Sequence, residues 1–136
     1  MVQTSTFDLA AFYEYVQTKG DLRTPDHARR WSAAVLKTLG LNLDRGTKKQ
    51  LAKALPEELA EPLMRVFWLA HFRDTNLSSH DFLNQVARRS GNSDPEFARI
   101  PVTAVFGGIK RLIDDKTSAR VADSLSPEVR KLWQRA

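Results

Sequence analysis

Apolar residues recur along this chain at intervals of three and four, and no long β-branched run alternates with polar residues, so the pattern predicts helices throughout. Between Phe7 and Lys19, Leu9, Phe12, Tyr13 and Val16 fall on one helical face. Ser5 followed by Asp8 has the form of a capping box, with Asp where Glu or Gln is usual. Gly20 is expected to end that helix. Thr24-Pro25 opens a second, a capping hydroxyl before a proline whose missing amide costs nothing in a first turn. Ala28, Trp31, Val35 and Leu39 line its inner face, and Gly40 is expected to stop it. Asp44 caps a short third helix with Leu51, Ala52 and Leu55 inward. Pro56 breaks that helix and opens a fourth, since proline cannot donate from a helix interior but suits a first turn. Glu57 and Glu58 then stand where acids complement the helix dipole. The fourth helix is expected to continue through Leu63, Val66, Phe67 and Leu69, with Pro62 as the place for a kink.

The plan then starts again. A shift of 70 positions lays Phe12–Arg65 over Phe82–Arg135 without a gap. Identical pairs include Phe12/Phe82, Val16/Val86, Pro25/Pro95, Ala28/Ala98, Arg29/Arg99 and Ala34/Ala104. Val35/Val105, Asp44/Asp114, Thr47/Thr117, Ala52/Ala122, Leu55/Leu125, Glu58/Glu128 and Arg65/Arg135 extend the series. Chance would match only about three or four positions at ordinary residue usage. The second copy accordingly predicts a helix over Phe82–Ser90 capped by Ser78 with Asp81, and further starts at Asp94-Pro95, Asp114 and Ser126-Pro127. Pro101 and Gly107-Gly108 replace Trp31 and Lys37-Thr38, and because proline costs about 3 kcal/mol in a helix interior the sixth helix is expected to split or kink near Pro101.

A copy of this size, roughly 65 residues, makes a marginal core by itself. The join WLAHFRDTNLSS is too short and apolar for a flexible linker. The expected fold is therefore all-α: about eight helices in two homologous four-helix halves packed as one domain over residues 1–136. Copy one covers about 7–70 and copy two about 79–135, with an approximate two-fold axis between them. Leu55 and Leu125, each the last apolar residue before a proline-led helix, should be buried where two helices meet.

Composition narrows the chemistry more than it names it. A hydrophobic content of 42% is ordinary for a globular protein. The absence of cysteine excludes disulfides, thiolate nucleophiles and thiolate metal sites. MVQTSTFDLAAF has neither a basic nor a long apolar region, so no signal peptide is expected, and no run is long enough for a membrane span. A soluble, cytoplasmic protein with no membrane partner is the expectation. Net charge is +5 and the isoelectric point 9.8. The excess is shared, ten Lys/Arg against eight Asp/Glu in residues 1–70 and eleven against eight in 71–136.

His27, His71 and His80 are the histidines, with Asp74 and Asp81 near the latter two. The His71–His80 spacing fits no helical pair and no zinc signature, which leaves them as polar loop residues. Asp44/Asp114 and Glu58/Glu128 are recurring carboxylates, but helix capping and first-turn placement account for each. No phosphate loop, dinucleotide glycine pattern or serine elbow is present. No catalytic, metal or cofactor-binding residue is therefore assigned, and no cofactor is expected. The basic residues are the remaining candidates: Arg29, Arg30 and Lys37; Lys48, Lys49 and Lys53; Arg88 and Arg89; then Arg99, Lys110, Arg111 and Arg120. On one face they would form a stripe of phosphate contacts; otherwise they solubilise outward helix faces. Trp31, Trp68 and Trp133 are read as core or join packing.

Several segments carry a family resemblance: Ala33–Leu36 within RRWSAAVLKTL, LAKALPEEL at Leu51–Leu59, the aromatic pair Phe67-Trp68, the helix start DFLNQVARR, and SPEVRKLW at Ser126–Trp133. Together they make the chain, from about Phe7 to Trp133, resemble the bacterial domain-of-unknown-function family 2267. The resemblance implies a small helical protein and supplies no activity or catalytic residue. The chain departs from the pattern at Leu125-Ser126-Pro127-Glu128, where Leu-Pro would be expected. The combined reading is a non-enzymatic binding or scaffold module with a protein partner, as monomer or homodimer. Nucleic acid held by the basic stripe is the alternative, and a metal-dependent or enzymatic function at the join is third.

Overall fold

The computed structural model describes residues 7–65, 73–92 and 94–136, which form eight α-helices and no strand. The helices are α1 (Leu9–Lys19), α2 (Pro25–Asn42), α3 (Arg45–Ala54) and α4 (Glu57–Met64), then α5 (Ser79–Ser90), α6 (Pro95–Leu112), α7 (Asp115–Ser124) and α8 (Pro127–Arg135). The all-α expectation holds.

Most helix starts lie where the capping chemistry puts them. Thr24 Oγ1 accepts from His27 N, Asp44 Oδ1 from Thr47 N at 2.8 Å, and Asp114 Oδ1 from Thr117 N at 2.8 Å. Ser78 accepts from Asp81 N, Asp94 from Glu96 N, and Ser126 from Val129 N. Helix α1 departs from expectation. Its cap is Asp8, whose carboxylate accepts from Ala11 N at 2.9 Å, and Ser5 lies outside the described residues. One acceptor reaching three residues ahead satisfies a free first-turn amide.

Three further expectations are corrected. Gly40 does not stop α2, which runs on through Asn42. A Cβ on Gly40 would stand 2.1 Å from the Leu63 carbonyl oxygen, so this glycine admits the backbone of α4. Helix α6 does not split at Pro101 but runs on as one helix from Pro95 to Leu112. Proline removes a single amide donor there, while the Asp94 cap and the buried face of Ala98, Val102, Val105, Phe106 and Ile109 hold the turns on either side. Gly107 and Gly108 extend that logic, since a Cβ on either would come within 2.8 Å of Tyr15 or Phe12 on α1. Helix α4 ends at Met64, two residues after Pro62; Val66, Phe67, Trp68 and Leu69 lie outside the described residues.

Side chains from all eight helices join one buried cluster. Phe82, Phe106 and Trp133 stack within it at ring separations of 5.7 and 5.1 Å. Trp133 Nε1 donates to the Ser118 carbonyl at 3.2 Å, which satisfies the one polar atom of a nearly inaccessible indole. Trp31 is also buried, as are Leu55 and Leu125 before their proline-led helices. Helices α2 and α6 are both 18 residues long and begin at positions 25 and 95; α3 and α7 are both ten long and begin at 45 and 115. Helix α1 packs on α6, α5 on α2, and α3 on α7. The α3–α7 contact is antiparallel, because Asp44 N before α3 donates to Ser124 Oγ at the end of α7. Further along, Arg120 Nε donates to Thr47 Oγ1 at 3.3 Å, and Arg120 also bonds Gln50.

Candidate functional site

Several of the candidate cations already have partners. Arg29 lies 3.5 Å from Asp26 and 3.8 Å from Glu58, over the ring of Tyr13. Arg99 pairs with Glu96 at 3.6 Å. Lys110 Nζ donates to the carbonyls of Trp133 and Ala136, both at 3.0 Å, and so closes the C-terminal end of α8. Arg111 stacks over Tyr15, 4.7 Å from the ring centre, and over Phe7. These four therefore serve α1, α2, α4, α6 and α8 contacts at separate places.

Arg30, Lys48, Lys49, Lys53, Arg88 and Arg89 form no ion pair among the described residues. Lys48, Lys49 and Lys53 share α3 with Arg45, and that helix contains no acid of its own. Lys49 and Lys53 are exposed, whereas Lys48 is half-buried, and burial together with Arg45 lowers its pKa. Helix α3 is thus a short, wholly basic element beside the Arg120 seam.

Two of the concavities among the described residues are lined by candidate cations. The first is a cleft of about 240 Å³ between α1, α2 and α4, reached by Tyr13, Arg29, Lys37, Glu58 and Arg65. Tyr13 donates its hydroxyl to Glu58 Oε2 at 2.5 Å. Burial, then that carboxylate, push the phenol well above its ordinary range. The periodicity placed Tyr13 on the apolar face and Glu58 in a first turn, but their 45-residue separation hid the bond between them. Arg65 pairs with Glu61 there, so Lys37 is the cation of this cleft without a carboxylate partner among the described residues.

The second concavity, about 250 Å³, is lined by Gln85, Arg88 and Arg89 on α5. Arg89 Nη1 donates to Thr38 Oγ1 of α2 at 3.1 Å and lies 3.5 Å from the Gln85 carbonyl. Thr38 is fully buried and donates its own hydroxyl to the Ala34 carbonyl at 2.8 Å. Burial first, and Arg88 second, lower the pKa of Arg89.

Of the recurring carboxylates, Glu58 is taken by the Tyr13 hydroxyl, while Asp44, Asp114 and Glu128 each accept from a nearby backbone amide. Asp44 and Asp114 lie below their ordinary pKa chiefly through bonds from Thr47 and Thr117. Glu128 is lowered by Ser79, whose amide donates to it at 2.8 Å. His27 is partly buried and His80 exposed, while His71 lies outside the described residues. Among the described residues no three His, Asp or Glu side chains are grouped to hold a metal ion. Nor is any helix among them long and apolar enough to cross a membrane.

One surface feature was missed by periodicity. Phe97 and Ile100, three apart on α6, are 66% and 56% exposed. The 70-residue shift sets them against His27 and Arg30, so the signal lay in an apolar pair replacing a polar one. Sequence comparison finds a family model, described as an uncharacterized conserved protein (DUF2267), that matches residues 10–132. Comparison with curated proteins finds no match.

Proposed function

We propose, from the premise that the chain belongs to the DUF2267 family, that it is a cytoplasmic protein-binding module built as one domain from two similar halves. The exposed pair Phe97 and Ile100 carries this reading. Water solvates both side chains poorly, and a protein surface that covers them gains roughly 25 cal/mol for each Å² of apolar area removed from solvent. Exposed apolar side chains next to one another mark interaction surfaces more often than scattered ones do. Arg99 and Glu96 flank the pair and supply a polar rim. A Phe97→Ser, Ile100→Ser double variant should keep the melting temperature of the parent and lose a partner that the parent retains on affinity capture from its host. Equal retention by both proteins would remove this surface from the reading.

A second reading rests on α3. Arg45, Lys48, Lys49 and Lys53 on ten residues form a run that a phosphate backbone could neutralise. Binding to duplex DNA should then weaken with salt, the slope of log K against log salt approaching about −0.9 per neutralised phosphate. Lys48→Ala with Lys49→Ala should flatten that slope by up to about two units. An unchanged slope would eliminate α3 as the contact.

A further inference from the structure

We infer that Gln85, Arg88 and Arg89 form a binding site for a small phosphate-class oxyanion, separate from the apolar pair on α6 and from α3. The three side chains sit at i, i+3 and i+4 of α5, the spacing that brings side chains onto one helix face. They line a concavity of about 250 Å³. Arg89 is held in place from outside its own helix, by the bond to Thr38 on α2. One edge of its guanidinium is spent on Thr38, which leaves further N–H donors of a rigid fork for a ligand.

What is absent around these cations matters as much as what is present. Neither Arg88 nor Arg89 has a carboxylate within ion-pair distance among the described residues. The acid on the same face is Asp81, and at 1.5 Å per residue it stands about 10–12 Å away along α5. The two guanidinium groups repel one another and lack a carboxylate partner among the described residues, and an oxyanion between them would relieve both. Phosphate suits the site better than a halide, because its oxygens can accept from both arginines and from the Gln85 amide together.

The other half of the chain does not reproduce the arrangement. The 70-residue shift sets Gln85, Arg88 and Arg89 against Tyr15, Thr18 and Lys19. There Tyr15 is covered by Arg111, and Gly108 stands where Thr38 does. The site is thus a property of the second copy's α5 on the first copy's α2. A purely helix-capping role for Arg88 and Arg89 in the last turn of α5 would not require Thr38.

The test is a nuclear magnetic resonance titration of the full chain with inorganic phosphate, at constant ionic strength maintained with sodium chloride. Saturable shifts at Gln85, Arg88, Arg89 and Thr38 are expected. A parallel titration with phosphoserine separates free phosphate from a phosphomonoester as the preferred source. Arg89→Gln should weaken binding by about tenfold or more, the value of a lost charge-assisted hydrogen bond. Arg88→Gln, which removes no side-chain hydrogen bond or ion pair seen among the described residues, should weaken it similarly in a chain of unchanged melting temperature. Shifts that rise without saturation across all exposed lysines and arginines would overturn the site, as would full affinity in the Arg88→Gln protein.

Discussion

Gly40 and Ser32 show how a single position on α2 is decided by atoms far away in sequence. An alanine at position 40 would gain about 1 kcal/mol in helix propensity. Its Cβ would also stand 2.1 Å from the Leu63 carbonyl oxygen, a backbone atom that cannot swing aside. Overpacking of this kind costs about 1–3 kcal/mol or more, so the clash wins and Gly40→Ala should destabilise the fold. A urea midpoint at or above that of the parent would contradict the close approach. Ser32 is fully buried on the same helix, and its hydroxyl has no hydrogen-bond partner among the described residues. An unsatisfied buried hydroxyl costs about 1–3 kcal/mol, and an apolar residue, Val102, stands 70 positions further on. Ser32→Ala should therefore raise the urea midpoint at an unchanged slope; a lower midpoint would reveal a partner for the hydroxyl. Neither outcome was legible in the sequence. A glycine that ends a helix and one that admits a neighbouring backbone look alike until the neighbour, 23 positions on, is in place.

Helix starts were far more legible than helix ends, and the reason is physical. A cap is local: one side-chain oxygen accepts from an amide two or three residues ahead, which a sequence states directly. Thr24, Asp44, Ser78, Asp94, Asp114 and Ser126 all behave so. Ends and interiors depend on what packs against them, and so Gly40, the split expected at Pro101 and the end of α4 were misread. The same distinction governs the candidate sites. The basic residues could be named from the sequence, whereas the Tyr13–Glu58 bond and the Thr38 bond to Arg89 join residues 45 and 51 apart. The caps also give the fold an acid limit. Thr47 donates to Asp44 and lowers its pKa below the ordinary value of 3.8. A depressed carboxyl contributes stability above its unfolded pKa and loses it as pH falls through the folded one. Thermal stability should thus hold from neutrality to about pH 5, then decline below about pH 4. Asp44→Asn should shallow that decline, and an identical acid limb in the variant would show that Asp44 has no part in it.

At the scale of the whole molecule, the question is whether the first four helices and the last four unfold together. Side chains of both sets enter one buried cluster. Helix α1 packs on α6 and α5 on α2, so the first helix of each set lies against the long helix of the other. Across the α3–α7 contact, Arg120 bonds both Thr47 and Gln50. Each set has only roughly 65 residues, too few for a robust core of its own. A single cooperative transition follows, with hydrogen-exchange protection in α2 and α6 lost in the same step. Leu55 tests this well because it is buried at the junction of α3 and α4, within the first set. Leu55→Ala should cost about 2–5 kcal/mol, a large share of the 5–15 kcal/mol that holds an ordinary domain together. In a cooperative molecule that loss should appear as equally faster exchange in α6, although Leu55 lies on neither α6 nor its set. If α6 kept the protection of the parent while α2 lost it, the two sets would be separate folding units, and the single-domain proposal would fail.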